Sequence, residues 1–288
     1  MKNVFTFLLL LFSLLCNGQS PKLFTTDKEL SSSLINQIYQ DRNGFIWIAT
    51  EDGLNRYDGA KFTIYKHEPN NEHSLAHNFV RTVFEDSKGH LLIGTYIGIQ
   101  MYDPATDNFT PLAKLEDTGG TLDSNIDSFI VRKNGEIWVS GNVLCKLDIK
   151  DHLLTVRKVD IAVTSPGSLF EDKKQNVWMA KGEEGVYQLT PDNQLTLHLS
   201  KDNGYVKSIC EDQRGNIYVG SIRKGLFIYD KERKTFVPVD LKEKGELPVC
   251  FLYSGIPNEL YIGTDGKGVA IYNIRTHEIS EYKFDNNY

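Results

Sequence analysis

Short apolar runs alternate with polar turn sequences along nearly the whole chain. In the first complete copy the runs cover residues 34–40, 45–50, 53–57 and 62–65, separated by clusters of Gly, Asn and Asp. Alternation of apolar and polar positions over about four to eight residues is typical of half-buried β-strands. No stretch keeps a helical period, and residues 69–78 hold at most a turn. The pattern therefore predicts an all-β protein.

The four runs recur together as a repeat of about 40 to 46 residues. Repeats of this length, built of short strands, are typical of β-propellers in which each repeat forms one four-stranded blade. We expect six blades, with repeats at about residues 33–78, 79–124, 125–165, 166–204, 205–247 and 248–288. The turn position is held by Gly44, Gly89, Gly135, Gln175, Gly215 and Asn258, and the large residue three positions later is Trp47, Leu92, Trp138, Trp178, Tyr218 or Tyr261.

Each hairpin between the first two strands has the pattern Asp-x-x-Gly or a variant of it. The Asp side chain can accept hydrogen bonds from amides of its own turn, and the glycine supplies a positive φ. The aromatic residue that follows is expected to pack between neighbouring sheets. The third copy lacks its second glycine and the fourth has Gln175 at the turn, so we expect these two blades to be less regular.

The two ends of the repeat array bear on how the ring closes. Residues 22–26 resemble the fourth run of the first copy, so we expect them to form the outer strand of the final blade. The sixth copy already has an outer-strand candidate at 278–283, and residues 285–288 resemble 202–205, which lead into an inner strand. Either the ring closes at six blades with a redundant strand, or it is an incomplete seven-bladed ring from the front part of a longer protein. We favour the second interpretation.

Charge is mixed along the chain, with 32 Lys and Arg against 38 Asp and Glu. There is no basic stripe of the kind that nucleic-acid binding requires, so we expect no nucleic-acid partner.

Motifs for phosphate loops, dinucleotides and nucleophilic serines are missing, and we predict no cofactor and no catalytic residue. His73 and His77 lie in a polar loop, where a solvated role is favoured over a metal site. The hairpin Asp residues lack the distal Glu of a calcium loop, and we predict no metal site.

Residues 1–18 have the pattern of a secretory signal peptide. One lysine precedes an apolar run that ends in small residues, which predicts cleavage before Gln19. The run is too short to span a bilayer. Lipidation of Cys16 is the alternative, although Leu15 stands where a lipidation motif takes Gly or Ala. We expect an exported, periplasmic protein whose propeller covers residues 19–288.

Three cysteines remain after cleavage, Cys145, Cys210 and Cys250. An odd count at irregular spacing is neither a disulfide framework nor a metal-binding motif. Cys210 occupies an inner-strand position that other copies fill with aromatic residues, so we interpret it as a buried apolar residue. One disulfide is the alternative, and the spacing does not say which pair would form it.

Candidate ligand-binding residues follow from the topology of a four-stranded blade. The hairpins between first and second strands share one face of a propeller, and here they are monotonous. The loops between second and third strands share the other face and vary between copies, as recognition loops do. Polar residues at the start of the inner strands should lie near the channel mouth, with ordinary surface polarity as the alternative. The loop candidates are Glu51, Asp52, Tyr96, Arg223, Lys224 and Asp265, and the inner-strand candidates are Asn36, Arg81, Asp127 and Lys207.

Part of the first copy carries a family resemblance. Residues 34–50, with Asp-Arg-Asn-Gly followed by Phe-Ile-Trp-Ile-Ala-Thr, and residues 53–58, Gly-Leu-Asn-Arg-Tyr-Asp, resemble the two-component regulator propeller repeat. The resemblance extends over residues 23–288 and is strongest in the first, second and fifth copies. That family forms the N-terminal sensors of hybrid histidine kinases of Bacteroidetes. The resemblance implies a periplasmic sensor of two seven-bladed propellers and a β-sandwich, followed by membrane, kinase, receiver and DNA-binding parts.

The resemblance also implies a function. Such regulators commonly respond to oligosaccharides, so we expect a non-catalytic ligand-sensing module for an oligosaccharide. This chain ends within the first propeller and has no kinase motif, so we expect it to be truncated before the membrane and kinase parts. A homodimer through the propeller or downstream domains is a further expectation. The alternatives are a secreted propeller enzyme of the lyase or lactonase type and a protein-interaction platform.

Overall fold

The computed structural model describes residues 23–26, 29–122, 124–199, 204–241 and 247–282. These residues form a six-bladed β-propeller of four-stranded antiparallel blades, which confirms the predicted fold class. Within these ranges no helix is long and apolar enough to cross a bilayer. The predicted signal peptide, its cleavage position and Cys16 lie outside the described residues, as do 283–288.

Each blade consists of four consecutive strands that pair in sequence order. The first three blades contain β1 (Ile35–Gln40), β2 (Ile46–Thr50), β3 (Gly53–Tyr57) and β4 (Phe62–Tyr65); β5 (Val80–Glu85), β6 (Leu91–Thr95), β7 (Gly98–Asp103) and β8 (Asn108–Phe109); then, after β9 (Lys114–Leu115), β10 (Ser128–Val131), β11 (Ile137–Ser140), β12 (Leu144–Lys150) and β13 (Leu153–Lys158). The strands of the first blade lie within one residue of the predicted runs. The third blade gains a fifth strand because β9 pairs in parallel with β13.

The last three blades follow the same order. They contain β14 (Ser168–Glu171), β15 (Val177–Lys181), β16 (Gly185–Leu189) and β17 (Leu195–Leu199); β18 (Val206–Glu211), β19 (Ile217–Ser221), β20 (Gly225–Asp230) and β21 (Thr235–Pro238); and β22 (Val249–Tyr253), β23 (Glu259–Thr264), β24 (Val269–Asn273) and β25 (Ile279–Glu281). The fourth blade has the regular strand count even though Gln175 replaces the turn glycine, because Gln175 itself adopts a positive φ of 68°.

Five apolar clusters fill the seams between consecutive blades, and each cluster joins side chains from two neighbouring sheets. The large residue after the hairpin belongs to these clusters: Trp47, Trp138, Trp178 and Tyr218 are each at most 3% exposed. Its predicted role as the packing unit between sheets is therefore confirmed in these blades. Aromatic side chains of this size bury enough apolar surface to dominate the packing of a seam.

Among the described residues, no such cluster joins the sixth blade to the first. Tyr261, the sixth-blade counterpart of the buried Tyr218, is only partly buried and stacks loosely with Tyr253 and Tyr282 at centroid distances of 6.3 and 6.4 Å. Both blades thus present sheet faces to solvent, which we call the uncovered faces. Their exposed apolar residues are Leu34, Ile35 and Ile38 on the first blade and Phe251 and Tyr253 on the sixth.

The expected outer strand at residues 22–26 is wrong where the structure describes it. The Phe24 ring packs on Tyr57 and Phe62 of the first blade, at centroid distances of 5.1 and 5.0 Å, and not on the final blade. Residues 23–25 have no strand geometry. The first blade offers an aromatic surface close in sequence, and closing a short loop onto it costs less chain entropy than reaching the far end of the array.

One Asp organises most of the hairpins between first and second strands. Oδ1 of Asp41 accepts hydrogen bonds from the amides of Asn43 and Phe45, at 2.9 and 3.0 Å, as the sequence predicts. Its Oδ2 accepts a further hydrogen bond of 2.8 Å from Nε1 of Trp47. The equivalent pairs are Asp172 with Trp178 and Asp212 with Tyr218, whereas Asp86 of the second blade, where Leu92 takes the place of the aromatic residue, accepts instead from Nδ1 of His90 in its own turn. The carboxylate therefore ties the surface turn to the buried residue of the seam.

Basic residues on the same hairpins join neighbouring blades. Nη2 of Arg42 donates a 2.7 Å hydrogen bond to the Asp86 carbonyl, and its Nε lies 2.5 Å from Oε1 of Glu85. Lysines make the equivalent contact at two later seams. We call these contacts the hairpin clamps; they run from Arg42 to Asp86, from Lys133 to Asp172 and from Lys173 to Asp212. They bind the blades together on the hairpin face, opposite the candidate site.

Candidate ligand-binding face

The first strand of four blades contains a β-bulge at the same position. The register of β1, β5, β18 and β22 shifts across one residue, and in the third and fourth blades the equivalent residue directly precedes β10 or β14. Bulges re-aim a side chain and are over-represented next to functional sites. These bulge positions are Asn36, Arg81, Lys207 and Cys250, with Asp127 and Gly167 as their equivalents.

Bulge positions of the first three blades form a continuous polar row. Nδ2 of Asn36 donates a 2.8 Å hydrogen bond to the carbonyl of Val80 in the second blade. Nη2 of the neighbouring Arg81 lies 2.7 Å from Oδ1 of Asp127 in the third blade. The structure therefore pairs Arg81 with Asp127 and places the side chain of Asn36 against the residue that precedes Arg81. The three residues combine an amide, a guanidinium and a carboxylate, which can both donate and accept hydrogen bonds.

Burial raises the pKa of Asp127, and the positive charge of Arg81 partly offsets this effect. Nδ2 of Asn125 also donates to Oδ1 of Asp127, at 3.2 Å. Oδ1 of Asn125 is a buried acceptor with no hydrogen-bond partner among the described residues. Such an unpaired group costs about 1–3 kcal/mol, and exceptions of this kind call for a functional or solvent-based explanation.

An exposed aromatic surface borders the ion pair. Tyr96 is 54% exposed, and its ring centroid lies 5.5 Å from that of His77 and 6.1 Å from that of Phe79. Cζ of Arg81 lies 5.9 Å from the Phe79 centroid, so Phe79 connects the ring of Tyr96 to the Arg81–Asp127 pair. Charged and apolar surfaces therefore meet at one place, which suits a ligand that carries both kinds of group.

Arg223 and Lys224 form a separate group on the fifth blade. Nη2 of Arg223 lies 3.0 Å from Oε1 of Glu183 on the fourth blade, and both side chains are largely exposed. The amide of Lys224 donates to Oγ of Ser221 at 3.2 Å. An exposed pair of this kind contributes little to stability, so its charges are available to a ligand at low cost.

Glu51 and Asp52 lie on the first blade, away from the contacts of the polar row. Oδ2 of Asp52 accepts from Nζ of Lys66 at 2.6 Å, and its Oδ1 accepts from Nδ2 of Asn78 at 3.1 Å. Asp52 therefore ties its own loop to the crossing that leads to the second blade. Glu51 is exposed, and its amide donates to the Leu34 carbonyl at 3.1 Å.

Lys207 and Asp265 meet around a residue that the sequence analysis missed. Burial raises the pKa of the Cys250 thiol; the positive charge of Lys207 opposes this shift and the negative charge of Asp265 adds to it. Cys250 stands eight residues before the turn position Asn258, as Lys207 stands eight before Gly215. The repeat spacing alone could therefore have found it. Phe79 and Asn125 carry no such signal, because their roles depend on contacts between blades.

Comparison with known protein families identifies the repeat. The model of the two-component regulator propeller matches residues 29–52, 74–96 and 200–223, in the first, second and fifth blades. The chain carries two-component regulator propeller repeats. Each matched segment of these regulator repeats covers a first strand with its bulge position, the hairpin and the second strand. Asn36, Arg81 and Lys207 therefore occupy one position of the regulator repeat.

The chain spans only part of two proteins that it resembles. Histidine kinase P4 of Formosa agariphila is 37% identical over an alignment of 83 residues that covers 26% of this chain and 6% of the kinase. The extracellular domain of the putative hybrid two component system BT4673 from B. thetaiotaomicron superposes with a TM-score of 0.74 at 17% identity, over 93% of this chain and 39% of that domain. The chain thus resembles a minor part of each of them, in a propeller like the extracellular sensor domains of hybrid two-component systems.

The same fold also occurs in an enzyme. Virginiamycin B lyase from Staphylococcus aureus superposes with a TM-score of 0.67 at 13% identity, over 93% of this chain and 89% of the lyase. At this level of identity the likeness concerns the fold alone, since one propeller scaffold serves unrelated functions.

Proposed function

We propose that this chain is the ligand-sensing propeller of an exported hybrid two-component sensor kinase and that it binds an oligosaccharide at the channel mouth. The contact of Arg81 with Asp127, beside the exposed ring of Tyr96, carries the proposal. A saccharide presents hydroxyl groups around its edge and C–H groups on its faces. The ion pair offers donors and acceptors for the hydroxyl groups, and Tyr96 with Phe79 offers an apolar surface for the ring.

Signalling would follow from the position of this site across a seam. Arg81 belongs to the second blade and Asp127 directly precedes β10 of the third, so a ligand held by both residues bridges two blades. A ligand shifts a conformational equilibrium only as far as it binds one state better than the other. We propose that the bound saccharide favours one spacing of these blades and that this spacing changes the activity of the kinase. This region binds and does not catalyse.

Export and a periplasmic location are part of the proposal. The apolar N-terminal pattern and the likeness to an extracellular sensor domain support them. We propose that the membrane anchor and the kinase belong to a longer protein of which this chain is the front section. The modest share of its relatives that the chain spans agrees with this arrangement.

The uncovered faces support a further blade in that longer protein. Phe251 is 60% and Ile38 is 61% exposed, although the residues at the same first-strand positions of the second and fifth blades are at most 7% exposed: Thr82, Val83, Ser208 and Ile209. Burying one such side chain contributes about 1.5–3 kcal/mol. We propose that a seventh blade covers both faces. A homodimer through the same faces is the other partner arrangement, and it predicts a particle of twice the mass.

The binding proposal is tested with an oligosaccharide panel and the exported full chain. Thermal shift identifies the binding sugar, and calorimetry then compares Arg81→Gln, Asp127→Asn and Tyr96→Ala with the unchanged protein. We expect each variant to weaken binding about tenfold or more, since hydrogen bonds to charged groups are worth about 1.5–3 kcal/mol. Arg275→Gln, at an exposed turn of the sixth blade, is the matched control and should bind normally.

Two results would contradict this proposal. The first is equal binding by Arg81→Gln and the unchanged protein, which would move the site elsewhere. The second is turnover of a panel sugar or of a lactone, detected by product analysis. Turnover would favour the alternative function, a secreted propeller lyase or lactonase.

A further inference from the structure

A cavity of about 180 Å³ lies on the hairpin face between the second and third blades, opposite the channel mouth. The hairpin of the second blade forms one side of it through Asp86 and Lys88. Strands β11, β12 and β13 of the third blade form the other side. This volume is large enough for one small metabolite.

This cavity occurs where a hairpin clamp is missing. At the seam between the first two blades, Arg42 reaches Glu85 and the Asp86 carbonyl. The equivalent positions at the next seam are Ser87 and Val131, and neither can form this contact. Within the parts of the chain that the structure describes, no clamp crosses this seam. The missing side chains leave the space that forms the cavity.

In the third blade, the carboxylate of Asp148 lines this cavity and does not accept hydrogen bonds from any turn that the structure describes. In the other blades the residue after the closing Tyr accepts hydrogen bonds from turn amides; Asp58, for example, accepts from Ala60 and Lys61 at 2.8 and 2.9 Å. In the third blade β12 continues to Lys150, so Asp148 lies within a strand and lines the cavity. Among the described residues the carboxylate of Asp148 has no hydrogen-bond or ion-pair partner. Its carboxylate is therefore available to a ligand.

The remaining charges of the cavity divide into bound and unbound groups. Nζ of Lys146 lies 2.5 Å from Oε1 of Glu136, and Nε1 of Trp138 donates to Oε2 of Glu136 at 3.0 Å. Lys146 and Glu136 are therefore occupied with each other, and Nε of Arg157, which also lines the cavity, lies 3.8 Å from Oε2 of Glu116. The ammonium of Lys88 forms no ion pair within the described ranges. One unpaired cation and one unpaired anion thus line the same cavity.

The floor of the cavity is apolar. Its lining includes Val131, Ile137, Leu147 and Ile149, which belong to or pack against the cluster between the second and third blades. A bound molecule can therefore bury hydrocarbon on the floor while its charged groups stay at the rim. Pockets with an apolar body and a few placed polar groups are the usual form of small-molecule sites.

We propose that this cavity binds a small zwitterion with an apolar body, such as a free amino acid with an aliphatic side chain. Lys88 binds the carboxylate, Asp148 binds the ammonium group, and Val131 and Leu147 contact the side chain. The site is independent of the channel mouth and of the proposed oligosaccharide function, because it lies on the opposite face of the propeller.

The test uses three probes with the same isobutyl skeleton on the full chain: L-valine, isovalerate, which lacks the ammonium group, and isobutylamine, which lacks the carboxylate. Binding is followed by ligand-observed NMR and by titration of the protein amide signals around Gly135. We expect valine to bind about threefold to fivefold more tightly than either singly charged probe, since each partly exposed ion pair is worth up to about a factor of five. Lys88→Gln and Asp148→Asn should each weaken valine binding by a similar factor.

Two variants give the proposal its controls. Lys174→Gln changes the equivalent hairpin position of the fourth blade and should bind valine normally. The double variant Ser87→Arg with Val131→Glu installs the clamp found at the first seam, so it should fill the cavity and abolish binding with no loss of thermal stability. Equal binding of all three probes, no binding of valine, or normal valine binding by Lys88→Gln would each overturn the proposal.

Discussion

Oδ2 of Asp41 lies 2.8 Å from Nε1 of Trp47, so one carboxylate closes a surface hairpin and satisfies a buried indole at the same time. The same distance separates Asp172 from Trp178 in the fourth blade. Trp47 is fully buried, and without Asp41 its N–H would have no partner in an apolar seam. A residue that looks like ordinary turn chemistry in the sequence is therefore part of the packing between blades.

Replacement of this carboxylate should be costly. We expect Asp41→Ala to lower the free energy of unfolding by about 2–4 kcal/mol, because it leaves a buried indole and two turn amides without their acceptor. Urea denaturation followed by tryptophan fluorescence measures the loss. Asp58→Ala, which removes an exposed turn acceptor, should cost clearly less. Equal losses in the two variants would show that the buried bond contributes nothing.

The uncovered face of the sixth blade makes a second prediction. Tyr218 is 2% exposed, whereas its counterpart Tyr261 is only partly buried. We expect Tyr218→Ala to cost about 3–5 kcal/mol, as large-to-small core substitutions do, and Tyr261→Ala to cost less than about 1 kcal/mol. Chemical denaturation of both variants at one protein concentration makes the comparison. A large loss at Tyr261 would mean that another surface covers this face in solution.

Asp127 should give stability an unusual pH dependence. Burial raises its pKa above the ordinary value for Asp of about 3.8, so the folded state holds the proton more readily than the unfolded state does. The resulting stabilisation is fully present below about pH 3.8 and is lost as the pH rises through the folded pKa. Asp127→Asn should remove this dependence in a series of urea titrations between pH 3 and 7.

Asp58 provides the control of opposite sign. Hydrogen bonds from the amides of Lys61 and Ala60 lower its pKa, so its contribution is present above about pH 3.8 and is lost as the pH falls. Asp58→Asn should therefore change the acid side of the stability curve in the opposite direction. A curve for Asp127→Asn that parallels the unchanged protein would contradict the assignment at Asp127.

Glu136 is a second carboxylate whose pKa is lowered. The hydrogen bond from Lys146 lowers its pKa from 4.5 to about 2. Its contribution to stability is present above pH 4.5 and is lost as the pH falls through about 2. Lys146→Gln should raise the pKa of Glu136 towards 4.5, which a carboxyl NMR titration would detect. No change in that pKa would mean that the hydrogen bonds with Trp138 and Asn134 are enough to lower it.

The repeat spacing was enough to predict the blades because a propeller is built from local contacts. The turn positions and the aromatic residue three places later depend on strands that are neighbours in sequence. Closure is different, since Phe24 could pack on either end of the array and no local pattern decides between them. The structure resolves this choice in favour of Tyr57 and Phe62. The bond from Asp41 to Trp47 was also missed, because it joins the predicted turn to the predicted core.

The candidate site was predictable as a set of positions and unpredictable as a set of contacts. Equivalent spacing identified Asn36, Arg81, Asp127 and Lys207, but it cannot say which of them pair. The contact of Arg81 with Asp127 spans two blades and depends on how the sheets tilt against each other. Spacing also cannot reveal that Asn125 has an unpaired oxygen, since that depends on every surrounding atom.

The missing hairpin clamp gives the second and third blades a distinctive mechanical relationship. Their seam is tied at the channel mouth by Arg81 and Asp127, whereas the seams beside it are tied at the hairpins by Arg42 and Lys133. If the angle between these two blades changes, no side-chain contact of this kind among the described residues has to break at the hairpin edge, whereas the ion pair at the mouth holds the blades together. The hairpin edge is therefore the side where we expect the larger displacement.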